Sequence, residues 1–216
     1  MKFNKKQIER YSRQIILKKI GPIGQKKLLK SSVLIVGAGG LGSPIAIYLA
    51  GLGIGKIGII DNDNVEISNL GRQIIFNMND INKKKSIIAA NKLKKINPDI
   101  IIKPFYKTLT KANINKISKN FDLIIDGSDN FKTRFLINDY CLEKKKILIS
   151  GAISKFDGHV YTFNFSKKNS PCLRCFIPNI PEDGLDVDNC EYEGVLGTLG
   201  GIIGSIQANE VIKEIL

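Results

Sequence analysis

A glycine-rich turn, Gly37-Ala38-Gly39-Gly40-Leu41-Gly42, constrains this chain more than any other feature. It follows four apolar residues, Val33-Leu34-Ile35-Val36, and opens a stretch with helical periodicity at 41–52. A short, fully apolar run of this kind marks a parallel strand buried on both faces. In a strand–turn–helix unit the first glycine permits the tight turn. The second lets backbone approach a phosphate, and the third lets helix and strand pack closely. The helix N-terminus then offers free N–H groups and a partial positive charge to an anion. A second strand over 56–60 ends on Asp61, close to the spacing of about 20 residues expected of a ribose-binding acid.

The same rhythm continues to residue 150. Strands are predicted over 100–105, 123–126 and 147–149, and helices over 83–95, 112–119 and 130–143. Such alternation implies an α/β fold, a Rossmann-like doubly wound sheet that is parallel in its N-terminal part with helices on both faces. Before it, residues 2–30 predict a polar helical arm in which Ile15, Ile16 and Ile20 share a face, interrupted at Gly21-Pro22. After it, residues 160–165 alternate as an added antiparallel strand, 166–196 form a long irregular stretch, and 200–216 read as an apolar helix. The expectation is one domain over 1–216: an arm at 1–30, a nucleotide-binding core at 31–151 and a crossover loop at 166–196. The length of 216 residues suits this.

The formal net charge is +13. The lysines are spread through every segment rather than gathered with aromatics on one face, which argues against a nucleic-acid partner. A basic surface still favours encounter with an acidic protein. No run of about 18 apolar residues occurs, so no membrane span is expected. Residues 1–10 are Lys-rich without an apolar segment behind them, which does not read as a secretory signal. The expected location is the cytoplasm. There Cys141, Cys172, Cys175 and Cys190 read as buried, metal-binding or reactive thiols rather than disulfides.

The glycine turn and Asp61 serve NAD as well as ATP, and an NAD-dependent oxidoreductase on this fold is the alternative reading. The residues that follow favour ATP. Arg72 offers a bidentate fork to phosphate oxygens. Lys85, near the start of the next helix, is a second phosphate cation, and Asn69 and Gln73 can hydrogen-bond sugar or phosphate. A dehydrogenase leaves Arg72, Lys85 and Asp129 without a task. The only histidine, His159, reads as structural.

Together these segments resemble a known family. They are Arg10-Tyr11-Ser12-Arg13-Gln14-Ile15, the glycine turn, Asp61, Ser68-Asn69-Leu70-Gly71-Arg72-Gln73, Lys85, Asn97-Pro98, Asp126-Gly127-Ser128-Asp129-Asn130 and residues 201–212. The family is that of the MoeB, ThiF and HesA sulfur-carrier adenylyltransferases, within the ubiquitin-activating-enzyme superfamily. The resemblance covers essentially the whole chain. It implies ATP-dependent activation of the C-terminal Gly-Gly carboxylate of a ubiquitin-like sulfur carrier, with release of pyrophosphate, in thiamine or molybdopterin biosynthesis.

The resemblance also implies roles. Gly40 and Asp61 hold the nucleotide. Ser68, Asn69, Arg72, Gln73 and Lys85 lie along the triphosphate. Asp129 positions Mg2+ with Asn130 beside it, and Arg13 crosses a homodimer interface into the partner's ATP site. Carboxylate and triphosphate are both anionic, so Arg13, Arg72, Lys85 and Mg2+ would offset their repulsion. No general base is needed, because the carboxylate is already ionised at neutral pH. A degenerate binding subunit is a third reading, which the intact set of ATP residues argues against.

Two cysteine features depart from the pattern. Cys172-Leu173-Arg174-Cys175 supplies half of a Zn2+ site, whereas structural zinc takes four ligands. The family's second C-x-x-C is not found before Leu216. A partial zinc site, a lost one and a truncated chain all remain open. Cys190 matches a crossover-loop cysteine that, in ThiF-like members, bonds to the sulfur carrier. A sulfurtransferase partner is implied by the same chemistry.

Overall fold

The computed structural model describes residues 3–178 and 194–216. Two helices come first, α1 (Lys5–Ile15) and α2 (Gly21–Lys30). Then β1 (Ser32–Val36), α3 (Gly42–Leu52), β2 (Lys56–Ile60), α4 (Lys85–Ile96), β3 (Ile101–Phe105), α5 (Ile114–Ser118), β4 (Leu123–Asp126) and α6 (Phe131–Glu143) alternate. The chain continues through β5 (Ile147–Ser154), β6 (Asp157–Asn164), α7 (Leu173–Phe176) and α8 (Gly197–Ile215). The strands form one sheet in the order β3-β2-β1-β4-β5-β6. Neighbours are parallel except for β5 and β6, whose hairpin is antiparallel over eight residue pairs.

Apolar runs at the centre of the sheet follow from burial on both sides. Val33 and Ile35 of β1 point into one core with Ile57, Ile59, Leu123, Ile125 and Ile149, beneath α3, α4 and α8. Leu34 and Val36 point into the other with Ile60, Ile124 and Leu148, beneath α5, α6 and α7. A strand with a core on each face cannot alternate polar and apolar residues. The strand order reverses between β1 and β4, and in open sheets of this kind the crevice at that switch point is where ligands bind.

The N-terminal arm is fastened to the core by polar contacts rather than by an isoleucine face. Ile16 is 72% exposed, while Tyr11 is buried. The Asn97 amide donates to the Tyr11 hydroxyl at 2.9 Å and to the Ala50 carbonyl at 2.8 Å. Gly53 ends α3 at φ +85°, and a Cβ there would lie 2.6 Å from the Tyr11 ring. Gly21-Pro22 begins α2 rather than merely ending α1, as suits proline in the first turn of a helix.

Several sequence expectations change in extent: the 2–30 arm is two helices, β6 begins at Asp157 rather than 160, and α8 at Gly197 rather than 200. β5 runs to Ser154, beyond 149, because β6 pairs with its whole length. The 166–196 stretch contains a one-turn helix, α7, across Cys172–Cys175. Cys190 lies outside the described residues.

Candidate active site

A cleft of about 670 Å³ opens at the carboxyl ends of β1, β2 and β4. Its floor is the glycine turn, in which each glycine has a different reason. Gly37 sits at φ +91°, and a Cβ there would lie 2.7 Å from the Gly127 carbonyl. A Cβ on Gly42 would lie 1.9 Å from the Gly37 carbonyl. These two are demanded by the turn itself. Gly39 and Gly40 are not: a Cβ at either would meet nothing closer than 3.7 Å. What they keep open is the approach to the start of α3, where no side chain caps the helix. The Ser43 N–H is taken by the Gly39 carbonyl at 2.9 Å and Pro44 has none, so the Leu41 and Gly42 amides and the helix dipole are what that opening offers a phosphate.

Asp61 follows β2 and is held by two amides. The Ala38 N–H donates to Oδ2 and the Asp63 N–H to Oδ1, both at 2.8 Å. A carboxylate has about four lone-pair sites, so capacity remains for sugar hydroxyls. Burial pushes the Asp61 carboxyl above its ordinary value, against the pull of those amides and of Lys85. Its folded-state ionisation is therefore a cost to the free protein, one that new hydrogen-bond donors would reduce.

The segment after β2 carries the expected polar residues. Asn69 is buried, and its Oδ1 accepts from the Glu66 N–H at 3.1 Å. Arg72 donates from Nη1 to the Ser68 carbonyl at 2.9 Å. Gln73 is buried, and its Oε1 has no hydrogen-bond partner among the described residues. A buried acceptor left open costs about 1–3 kcal/mol, so a donor from a ligand or a water would be well received. Lys85 starts α4 and is buried; its Nζ lies 3.0 Å from Asp63 Oδ2.

On the other side, β4 ends at Asp126 and leads into the loop carrying Asp129. Asp129 is exposed, and the Asn130 side-chain amide donates to its Oδ1 at 3.2 Å. Asn130 also caps α6, accepting from the Thr133 N–H at 2.8 Å. One free carboxylate suits Mg2+, which is commonly held by one or two carboxylates together with substrate phosphates. Among the described residues no group of three or more His, Cys, Asp or Glu forms a dedicated metal cage.

Gly40, Asp61, Asn69, Arg72, Gln73, Lys85, Asp129 and Asn130 thus all line one cleft. Ser68 does not; it holds Arg72 through its carbonyl. Arg13 does not line the cleft of its own chain either. It is exposed on α1, and its side chain makes no hydrogen bond or ion pair among the described residues. Sequence reasoning missed Asp63, Lys107 and Arg134, which also line the cleft. Arg134 had a readable position, one turn into the helix that follows Asp129, but an isolated arginine carries no signal of its own.

The Cys172 and Cys175 sulfurs are 3.9 Å apart. Two thiolates at about 2.3 Å on one tetrahedral zinc would be separated by nearly that distance. Cys141 is fully buried on α6, and burial pushes its thiol far above the ordinary range. It is a core residue rather than a reactive one.

The model of the ThiF family matches residues 11–216. The chain belongs to the ThiF family. A relative from Porphyra purpurea described as a probable molybdopterin-synthase adenylyltransferase is 51% identical over 207 residues, 96% of this chain and 54% of that protein. The sulfur carrier protein adenylyltransferase of Thermus thermophilus is 40% identical over 219 residues, 100% of this chain and 80% of that protein. This ThiF-family chain therefore spans about half the length of the first of these relatives. Among solved structures, E. coli MccB with MccA-N7isoASN superposes with a TM-score of 0.83 at 23% identity, covering 98% of this chain and 65% of MccB. That likeness shows the fold. No helix among the described residues is long and apolar enough to cross a membrane.

Proposed function

We propose that this ThiF-family chain is an ATP-dependent adenylyltransferase that activates the C-terminal Gly-Gly carboxylate of a ubiquitin-like sulfur carrier. The observation that carries the reading is the convergence of Asp61, Arg72, Lys85 and Asp129 on a cleft floored by an uncapped helix N-terminus. A dehydrogenase would use the glycine turn and Asp61 alone. The name of the Porphyra relative favours a sulfur carrier of the molybdopterin-synthase type over one of thiamine synthesis, while that of the Thermus relative specifies only a sulfur carrier. The cytoplasm is the location that goes with this reading.

Each group has a physical task. Asp61 accepts from the ribose hydroxyls. The amides at the start of α3 receive a phosphate, and Arg72, Lys85, Asn69 and Gln73 lie along the remaining polar wall. A carboxylate oxygen of the carrier attacks the α-phosphorus. The new O–P bond forms as the bond to the β-phosphate oxygen breaks, and pyrophosphate leaves with its electron pair. Nothing must be deprotonated, consistent with a cleft that no histidine lines.

Charge balance points to help from outside the chain. Among the described residues the cleft is lined by four basic side chains, Arg72, Lys85, Lys107 and Arg134, and four acidic ones, Asp61, Asp63, Glu66 and Asp129. Formally they cancel, although ATP brings several negative charges. Mg2+ at Asp129, when bound, supplies positive charge to the triphosphate. Arg13 from the partner of a homodimer supplies more, which accounts for an exposed, unpaired arginine on an otherwise anchored arm. Cys172 and Cys175 would supply two of the four ligands that a structural zinc takes, and Cys190, outside the described residues, would be the cysteine that bonds to the sulfur carrier.

The test is ATP–pyrophosphate exchange. Label from pyrophosphate should enter ATP only when a carrier ending in Gly-Gly is present. Exchange that ignores the carrier, or stabilisation by NAD and not by ATP in thermal unfolding, would overturn the reading.

A further inference from the structure

The loop that carries Asp129 is fixed by a buried ionic network that the adenylylation scheme leaves unused. Asp126, the last residue of β4, is fully buried. Its Oδ1 accepts from the Ser128 N–H at 3.0 Å and the Ser128 hydroxyl at 2.5 Å. Its Oδ2 accepts from the Ser150 hydroxyl of β5 at 2.7 Å. Its backbone carbonyl accepts from the Gln207 amide of α8 at 2.8 Å. Arg134 of α6 completes the set. Its Nε lies 3.8 Å from Asp126 Oδ2, and its Nη2 donates to the Ser128 carbonyl at 2.9 Å.

Ser128 is therefore held at its N–H, its hydroxyl and its carbonyl, one residue before Asp129. A buried carboxylate of this kind costs several kcal/mol unless paired and hydrogen-bonded. Apolar residues would fill the same space more cheaply. What the ionic arrangement adds is directional restraint on one loop from four elements: β4, β5, α6 and α8. Arg134 is 8% exposed and reaches the cleft wall, so the restraint acts at the site itself.

We propose that Arg134 is a positioning residue that, through Ser128 and Asp126, presents the Asp129 carboxylate in the orientation that metal-loaded ATP requires. The inference rests on the adenylyltransferase reading and extends it. Residues that orient a metal ligand from behind act on the metal-dependent part of binding, and their loss typically costs about 10–100-fold in metal affinity.

ATP binding to the full chain, measured calorimetrically with excess Mg2+ and again with EDTA, separates these cases. In Arg134→Ala, affinity in EDTA should fall only by the charge that Arg134 lends the cleft, while the gain on adding Mg2+ should shrink by a further factor of about ten or more. Arg134→Lys, which keeps the charge but not the fork, should recover part of the gain. If Arg134→Ala does not fold because Asp126 is left unpaired, Asp126→Asn/Arg134→Met removes both charges and should show the same selective loss. An undiminished Mg2+ gain in the variants would overturn the inference. Equal loss in both buffers would overturn it too, by making Arg134 a direct phosphate ligand. A wild-type chain that binds ATP in neither buffer would instead overturn the adenylyltransferase reading, and this inference with it.

Discussion

The β1–α3 wall of the cleft and its β4–α6 wall meet where the strand order reverses, and they reach rigidity by different routes. On the first, backbone packs against backbone. Gly37 and Gly42 leave no room for a Cβ, and the Gly37 carbonyl occupies the space that a side chain on Gly42 would need. On the second, side-chain charges do the fastening, with Arg134 and Asp126 buried behind an exposed Asp129. Backbone packing tolerates no substitution and carries no dependence on pH or salt. Ionic fastening tolerates conservative change, and its strength depends on how far water is excluded.

The largest expected effect comes from breaking the backbone wall. Gly42→Ala would place a Cβ 1.9 Å from a carbonyl oxygen, and no flexible side chain is there to move aside. A loss of about 3 kcal/mol or more of stability is expected, at the high end for overpacking. Gly40→Ala is the control. Its Cβ would approach only the Arg72 side chain, at 3.7 Å, so stability should stay within about 0.5 kcal/mol of wild type. Its ATP affinity should nonetheless fall about tenfold or more, since the space it fills lies on the approach to the α3 amides. Urea unfolding and ATP titration of both variants give the answer. Equal destabilisation by the two would end the distinction drawn between demanded and permissive glycines.

The two walls also differ in how much of them the sequence discloses. The glycine turn, Asp61 and the alternation of apolar runs with helices are local signals, each with a steric or periodic cause, and they placed β1, β2, β4 and the cleft floor within a residue or two. The charge network is not local. Asp126, Arg134, Ser150 and Gln207 come from four elements, and nothing in the spacing of a serine and a glutamine announces that they meet at one carboxylate. Asn130 shows the same limit: it lines the cleft beside Asp129 as expected, but the sequence does not announce that its side chain also caps α6 and holds Asp129. Arg13 is the reverse case. The resemblance singled it out, and within one chain it touches no part of the cleft.

Asp80 is buried at the base of the segment that carries Asn69, Arg72 and Gln73, where it accepts from Lys92 and from the Asn77 N–H. Burial alone would raise its carboxyl, but these hydrogen bonds outweigh it and hold the group below its ordinary value of 3.8. Because the folded-state value lies below the unfolded one, the stabilisation is complete above that ordinary value and is lost as pH falls through the folded one. Asp80→Asn should cost about 1 kcal/mol near neutrality. The gap between wild type and variant in urea midpoint should close on acidification below about pH 4. A gap that stays constant or widens would mean that the charge of Asp80 is not what matters. Asp61, whose value is raised by burial, contributes with the opposite sign: its part in stability falls as pH rises through its folded-state value.

The smallest effect belongs to a fastening exposed on both sides. Arg174 of α7, between Cys172 and Cys175, donates from Nε and Nη2 to the Asp139 carboxylate of α6 at 2.8 and 2.7 Å. It also stacks over the Phe135 ring at 4.4 Å. Both charged side chains are nearly half exposed, at 44% and 49%, so screening by solvent removes most of what the bidentate geometry would give in a dry interior. Arg174→Ala should cost only about 0.5–1 kcal/mol, with the ionic part vanishing by 1 M salt. Arg174→Lys should lose the fork and much of the stacking, which makes it nearly as costly as alanine. If the pair were a buried fastening like Asp126–Arg134, the loss would be several-fold larger and indifferent to salt. Unfolding midpoints at low and high ionic strength therefore test whether charge fastens this molecule in proportion to its burial.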